Sequence, residues 1–192
     1  MGRRIGLFGG SFDPVHNGHL LVAMAACEEL DLSRLYFIPA AQSPFKPDST
    51  PAPANDRLQL LRLALAGFSN YEIDDQEVRR GSISYSIDTV RVYAANFPDA
   101  QLLYLIGADH IAQLPKWRDA EQLAKLVEFV IIPRPGEAPA TLPPPYRLRF
   151  LNGFPFGVSS SQIRSRIKTG RSIDGLVPRA VAESIHNSRL YL

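Results

Sequence analysis

The sequence predicts an α/β fold, a doubly wound parallel sheet in a single domain with a helical C-terminal end. Three observations carry this. Short apolar runs alternate with segments of helical period along the chain. The run "LLYLIG" is apolar throughout, as in a strand buried on both faces. The first apolar run ends in a glycine-rich turn, and a helical segment follows it closely. At 192 residues the chain is long enough for one substantial core and short for two, so residues 1–192 are expected to form one unit.

The elements follow in order. "RRIGLFG" is the first strand, ending at about Phe8, and "GHLLVAMAACEEL" is the helix after it. Cys27 in that helix is the only cysteine, which rules out an internal disulfide and makes it a small buried filler. "RLYFIPA" is the second strand, and residues 55–65 form a helix with Asn55 and Asp56 available to cap it. "YEIDD" is the third strand, "SYSIDTVRVYAANF" a helix, "AQLLYLIGAD" the fourth strand, "KLVEFVIIPRPG" the fifth and "RLRFLNG" the sixth. Helices at about 160–168 and 178–186 close the chain. Two loops break the rhythm, one with five prolines between Pro39 and Pro53 and one with six between Pro133 and Pro145. Such proline density opposes helix and central strand. The first loop reads as a cover for substrate and the second as a surface excursion.

Composition excludes several function classes. Hydrophobic residues make up 45% and charged residues 21%, so neither disorder nor a fibrous repeat is indicated. The net charge is +2 with the basic residues scattered, which argues against a nucleic-acid polymer as partner and leaves room for local phosphate pockets. No run of 18 apolar residues is present to span a membrane, and no apolar stretch of export-signal type follows Arg3 and Arg4. Gly6 stands where a myristoylation pattern needs Ser or Thr. A cytoplasmic location is expected, and a homo-oligomer is left open.

The chemistry concentrates in "GLFGGSFDPVHNGHL". Open parallel sheets bind ligands at the carboxyl ends of their strands, so Gly9, Gly10 and Ser11 lie where a ligand would sit. Glycines there turn the backbone tightly and expose N–H groups to an anion. The spacing matches neither GxGxxG nor the P-loop. His16 and His19, two of only four histidines, stand at i and i+3 around Gly18, where a helix N-terminus brings both imidazoles to one side. As donors to phosphate oxygens, such groups are worth about 3 kcal/mol each. Other readings of the pair are metal ligation, for which no further cluster completes a zinc set, helix capping, and a triad, for which Ser11 beside Asp13 is a poor nucleophile.

A second stretch, "GVSSSQIRSRI", places Ser159, Ser160 and Ser161 before a helix and Arg164 one turn into it. Ser159 and Gln162 fit a capping box, which alone would account for the serines. Hydroxyls, free N–H groups and an arginine at one helix start also make a phosphate cradle, and one cradle on each side of a cleft suits a triphosphate.

With "GGSFDPVHNGH" and "VSSSQIR", the sequence resembles the HxGH nucleotidyltransferases, whose sheet is Rossmann-like. "SYSIDT", "GADHIAQLPKW" and "PRPG" are similar to the nicotinate-nucleotide adenylyltransferase family within them. The resemblance covers nearly the whole chain. It implies that the 5′-phosphate of nicotinate mononucleotide attacks the α-phosphate of ATP, giving deamido-NAD for NAD biosynthesis and pyrophosphate that leaves with Mg²⁺. The cation is carried with ATP, and no metal-ligating residues are assigned. His16 and His19 would contact the ATP phosphates, alongside Gly9, Gly10, Ser11, Phe12 and Gly18. Arg164, Ser160 and Ser161 would hold the β and γ groups, and Lys46 would reach a phosphate of either substrate. Gly107 and Asp109 resemble contacts to the adenosine ribose, with a helix cap as the other reading of Asp109. Trp117 would stack on the pyridine ring, with Tyr85, Ser86 and Thr89 at the nicotinate end; a core position is the other reading of Trp117. His110 and His186 read as structural.

The chain departs from the family pattern at Phe45, where histidine is frequent, and at Ser86 and Ser161, where threonine is usual. The serines keep the hydroxyl, whereas Phe45 changes how the covering loop meets a phosphate. Rival functions are a preference for nicotinamide mononucleotide, phosphopantetheine adenylyl transfer, and a non-catalytic nucleotide-binding regulator, which would be expected to lose His16, His19 or Arg164. A class I aminoacyl-tRNA synthetase would need a KMSKS counterpart and an anticodon domain, and the sequence has neither.

Overall fold

Six strands pair side by side, all parallel, in the order β3-β2-β1-β4-β5-β6. They are β1 (Arg4–Gly10), β2 (Arg34–Pro39), β3 (Tyr71–Ile73), β4 (Gln101–Gly107), β5 (Glu128–Ile132) and β6 (Leu148–Phe150). The helices are α1 (Asn17–Leu30), α2 (Ala54–Leu65), α3 (Gln76–Arg80), α4 (Ser86–Asn96), α5 (Ala120–Leu126), α6 (Ser160–Lys168) and α7 (Arg179–Asn187), with a 3₁₀ helix over Ala108–Lys116. The computed structural model describes residues 2–44, 50–133, 141–154 and 156–192; Phe45, Lys46 and residues 134–136 of "PRPG" lie outside the described residues.

Alternation along the strands builds two cores. Ile5 and Leu7 of β1 and Leu102, Tyr104 and Ile106 of β4 face Ile87, Val90 and Tyr93 of α4 and Leu123 of α5. Phe8, Leu103, Leu105 and Val130 face the other way, against Ala23 and Ala26 of α1, Leu60 and Leu61 of α2, Ile163 of α6 and Val181 of α7. Each large side chain so buried contributes roughly 1.5–3 kcal/mol. The apolar run of β4 is therefore covered on both faces, as its sequence predicts. This is the doubly wound order whose winding reverses between β1 and β4, and the crevice beyond their carboxyl ends is where such sheets take ligands.

Several boundaries differ from expectation. β1 continues past Phe8 to Gly10, because Gly9 and Gly10 still pair with Ile38 and Pro39. α2 starts at Ala54 with Pro53 in the capping position, so Asn55 and Asp56 sit inside the first turn and neither caps it. The short helices α3 and α5 are too brief to leave a periodic signal. Cys27 packs against the core as filler, and burial pushes its thiol up to about 11. Among the described residues, no helix is long and apolar enough to cross a membrane.

One buried carboxylate braces the floor beneath α4. Glu77 is 5% exposed, accepts a hydrogen bond from Thr89 Oγ1 at 2.6 Å, and lies 3.9 Å from Arg80. Arg80 in turn donates to Thr89 at 2.7 Å. Ser84, also hydrogen-bonded to Glu77, accepts from the Ala41 N–H at 3.0 Å, and its own N–H donates to the Gln42 carbonyl at 2.9 Å. The network thus ties α3 and α4 to the start of the first proline-rich loop. Burial, outweighing the hydrogen bonds and Arg80, holds the Glu77 carboxyl above its ordinary 4.5. A raised native pKa means that the folded state keeps the proton longer than the unfolded chain, so this group's contribution to stability falls as pH rises from about 4.5 through the folded value. Glu77→Gln should remove that fall. In urea titrations at a series of pH values, wild type should lose stability relative to the variant across this window, and parallel curves would contradict it.

Candidate active site

The loop from β1 to α1 forms the centre of the site. Phe12 adopts a left-handed φ of 46° and turns its ring inward, 5.4 Å from Phe8, 5.6 Å from Phe37 and 4.9 Å from His19. At 2% exposure its side chain supports the site from below, so Phe12 could meet a ligand only through its backbone. This also corrects the reason for the glycines. Gly9 and Gly10 are strand residues outside the left-handed region. A Cβ on Gly9 would meet Tyr104 Oη at 2.8 Å, and one on Gly10 would meet the Phe12 ring at 3.2 Å. Close packing of aromatic side chains, rather than a tight turn, calls for glycine at Gly9 and favours it at Gly10.

His16 occupies the N-cap position of α1 and is 6% exposed. The imidazoles of His16 and His19 stack with centroids 3.7 Å apart and planes at 25°, so the i, i+3 spacing does bring both rings to one side. The His16 backbone N–H donates to His19 Nδ1 at 3.1 Å. That makes Nδ1 the acceptor, so a neutral His19 carries its hydrogen on Nε2. Capping and donating are therefore compatible roles for one ring. Gly18 is the condition for this stack: a Cβ there would lie 3.0 Å from His16 Nδ1 and 3.1 Å from its Cε1.

α6 meets the same loop. Arg164 Nη1 donates to the Asp13 carbonyl at 2.7 Å and lies 3.7 Å from its carboxylate, while Ser160 Oγ donates to the Pro14 carbonyl at 2.9 Å. The two cradles expected on opposite sides of a cleft are thus sewn into one. Ser159 caps α6 through a box with Gln162, and its hydroxyl lies 3.1 Å from that of Ser161. The capping reading of the serines is correct for Ser159, whereas Ser160 anchors the loop.

Two residues here escaped the sequence reading. Arg57 is 1% exposed and donates to the carbonyls of Ser11 at 2.7 Å, Ala40 at 2.9 Å and Ala52 at 3.0 Å. Burial lowers its pKa, an effect that the nearby Asp13 carboxylate opposes. Tyr191 donates to Asp13 Oδ1 at 2.8 Å, and burial with that carboxylate raises the phenol. No sequence motif marks either residue.

Gly107 ends β4 beside β1, and Asp109 is exposed in the first turn of the 3₁₀ helix. Gly107 holds the N-cap position, so Asp109 is not the cap. His110 lies 3.9 Å from Asp109, its ring 6.0 Å from Trp117; His186 is exposed in the last turn of α7, away from these elements in sequence. Trp117 is half-buried, edge-on to Tyr104 at 6.4 Å, and packs on the core while lining a cleft with Pro44, Ser84, Tyr85 and Ser86. Core and cleft are two sides of the same indole. Ser86 Oγ pairs with Tyr104 Oη at 2.9 Å. Thr89, expected with Tyr85 and Ser86, is instead 0% exposed beneath them, committed to Glu77 and Arg80. Among the described residues, no group of three or more His, Cys, Asp or Glu is placed to hold a metal.

The arrangement places imidazole and guanidinium groups around the loop after β1, and Gly9 and Tyr104 connect that loop to the aromatic cleft at the start of α4. Gly18→Ala tests the stack. The added Cβ makes the His16 ring give way, and circular dichroism with the melting temperature checks that the fold is kept. Turnover in the reaction that the motifs imply should fall on the order of tenfold as His16 is displaced. Unchanged turnover would make the position of that ring indifferent.

Comparison with known proteins adds to this geometry. The cytidylyltransferase-like family matches residues 7–166. A protein of Opitutus terrae named "Probable nicotinate-nucleotide adenylyltransferase" is 40% identical over 191 residues, covering 98% of this chain and 97% of its own. One of Rhodopirellula baltica with the same name is 42% identical over 204 residues, covering 97% and 92%. The structure of Plasmodium falciparum nicotinic acid mononucleotide adenylyltransferase complexed with NaAD superposes with a TM-score of 0.77 over 98% of this chain and 97% of that one, at 19% identity, which shows a shared fold. The chain belongs to the cytidylyltransferase-like family, in the branch of the nicotinate-nucleotide adenylyltransferases.

Proposed function

We propose that this chain transfers AMP from ATP to nicotinate mononucleotide, releasing pyrophosphate and deamido-NAD, as one nucleotidyltransferase domain over residues 1–192. The observation that carries the proposal is the loop after β1: it holds the stacked His16 and His19 and, through the Asp13 carbonyl, the Arg164 guanidinium, while Gly9 at the end of β1 packs against Tyr104, whose hydroxyl pairs with Ser86 of the aromatic cleft. Relatives of about 40% identity over the full chain that bear the name of this activity support it.

The chemistry follows from the donors. An ionised phosphate monoester is already a nucleophile, so no covalent enzyme intermediate is needed. An oxygen of the mononucleotide phosphate forms a bond to the α-phosphorus of ATP, and the bond to the β-phosphate bridging oxygen breaks. The protein supplies alignment and charge stabilisation. His16 and His19 donate to the α-phosphate as charge builds there, and the backbone of Gly9, Gly10, Ser11 and Phe12 flanks them. Arg164 and Ser161 face the β and γ groups, with Ser160 fixing the helix that carries them. Gly107 gives room for the adenosine ribose, and the Asp109 carboxylate accepts from its diol. Lys46 takes its assignment to a phosphate from the sequence resemblance alone. Trp117 stacks on the pyridine ring beside Tyr85 and Ser86, and Thr89 acts indirectly from below.

Mg²⁺ enters as part of the nucleotide. The donors at the junction suit phosphate oxygens, whereas Mg²⁺ takes oxygen ligands, which the triphosphate provides. We place the reaction in the cytoplasm.

The test is pyrophosphate release with MgATP and nicotinate mononucleotide, nicotinamide mononucleotide or phosphopantetheine at matched concentrations. Selective turnover of the first is expected, and selective turnover of the last would assign the other branch. His19→Ala should lower kcat on the order of 10²-fold with an unchanged circular dichroism spectrum. Near-wild-type turnover in the folded variant would remove His19 from the mechanism.

A further inference from the structure

Nicotinate and nicotinamide mononucleotides differ by a carboxylate against a neutral amide, so a residue that tells them apart has to respond to one negative charge. Among the described residues, the aromatic cleft is lined by two cationic side chains, Lys116 and Arg118. The other residues named for it, Pro44, Ser84, Tyr85, Ser86 and Trp117, are uncharged.

The two cations are not equivalent. Both residues are exposed, and Lys116 carries its charge on a flexible stem. Arg118 is fixed in place: its guanidinium carbon lies 4.2 Å over the Tyr85 ring, and its Nη2 donates to Asp88 Oδ1 at 2.6 Å. One partner holds the plane of the group and the other holds one of its edges. A guanidinium carries five N–H donors in a rigid fork, so the bond to Asp88 leaves donors for a second carboxylate. Nor does Asp88 belong to Arg118 alone, since Arg91 Nη1 lies 3.8 Å from the same Oδ1. Arg91 is itself bound to Asp119 at 2.8 Å. The group that stacks on Tyr85, adjacent in sequence to Trp117 of the same cleft, is thus a cation held ready before substrate arrives.

We propose that Arg118 is the specificity-determining residue that reads the acid group of nicotinate mononucleotide, pairing with its carboxylate and not with the amide of the nicotinamide analogue. The proposal rests on the nicotinate reading of the cleft given above. It assigns to the Tyr85 ring the task of keeping the guanidinium plane in position, and to Asp88 that of holding its outer edge.

The experiment measures kcat/KM for both mononucleotides, and KM for MgATP, in wild type and in Arg118→Gln, Arg118→Ala, Arg118→Lys and Lys116→Ala, with melting temperatures as a check of folding. A charge-assisted hydrogen bond at a partly exposed position predicts that the preference for the acid falls about tenfold in Arg118→Gln and Arg118→Ala. The loss should fall on the acid alone, with turnover of the amide and KM for MgATP unchanged. Arg118→Lys should keep part of the preference, because charge is retained and the planar fork is not. Lys116→Ala should keep all of it. An unchanged preference in Arg118→Gln, an equal loss with both mononucleotides, or a loss seen in Lys116→Ala instead would overturn the assignment. Equal losses would mean that Arg118 only packs Tyr85. If wild type transfers AMP to neither mononucleotide, the nicotinate reading fails first and the assignment with it; if wild type prefers the acid and Arg118→Gln does too, only the assignment fails.

Discussion

The site depends on one buried carboxylate. Asp13 is 6% exposed in the loop after β1, and its side chain accepts from Tyr191 and from the Ala52 N–H while Arg164 lies 3.7 Å away. A charge so buried costs several kcal/mol unless it is paired and hydrogen-bonded, and removing one member of such a set leaves the rest uncompensated. Here the partners come from distant parts of the chain: the first proline-rich loop, α6 and the segment after α7. Arg57 completes the set from α2 by tying together the carbonyls of Ser11 and Ala40, just past the ends of the neighbouring strands β1 and β2. Neutralising Asp13 would therefore loosen the histidine loop, the N-terminus of α6 and the end of β2 together.

That hub explains how much of the molecule is legible in the sequence. The apolar runs of β1, β4 and β5 declare themselves because both faces of each strand are covered, and alternating layers of Leu, Ile, Val and Phe leave little room for polar residues. The histidine pair declares itself because its spacing and its glycine are local requirements. Arg57 does not, because an arginine in an amphipathic helix reads as a solvated residue, and only tertiary contact shows three carbonyls around it. The same holds for Tyr191 and Arg118, whose partners lie far away in sequence. Thr89 fails in the opposite sense: it shares a motif and a helix face with Tyr85 and Ser86, yet it lies one turn deeper along α4, fully buried, where Glu77 takes its hydroxyl. Gly9 and Gly10 have the right identity for a different reason, since the atoms that exclude a side chain there belong to Tyr104 and Phe12.

The two halves of the crevice solve different electrostatic problems. At the junction of α1 and α6, donors converge from two helix starts, where the backbone dipoles already favour an anion. Across β4, the cleft is aromatic, and its serine hydroxyls are already engaged, Ser86 with Tyr104 and Ser84 with Glu77. A hydroxyl already paired is a weak discriminator between substrates of the same shape, because it has little left to lose with the wrong one. Discrimination by charge must then fall to groups that still have donors to give.

The Ser160 hydrogen bond to Pro14 sharpens the division of labour at the phosphate side. A hydroxyl that spends its only proton on a backbone carbonyl can still accept, but it cannot donate to a phosphate oxygen without giving up the bond that docks α6. Arg164 is under no such constraint, since one Nη1 serves the Asp13 carbonyl and the fork keeps further donors. The serines thus fix where the helix begins, and the arginine one turn on carries the charge. Displacement of a reacting group by about 1 Å can cost on the order of 10²-fold in rate, so a serine whose hydrogen bond only docks a helix is as necessary to turnover as the cation it positions.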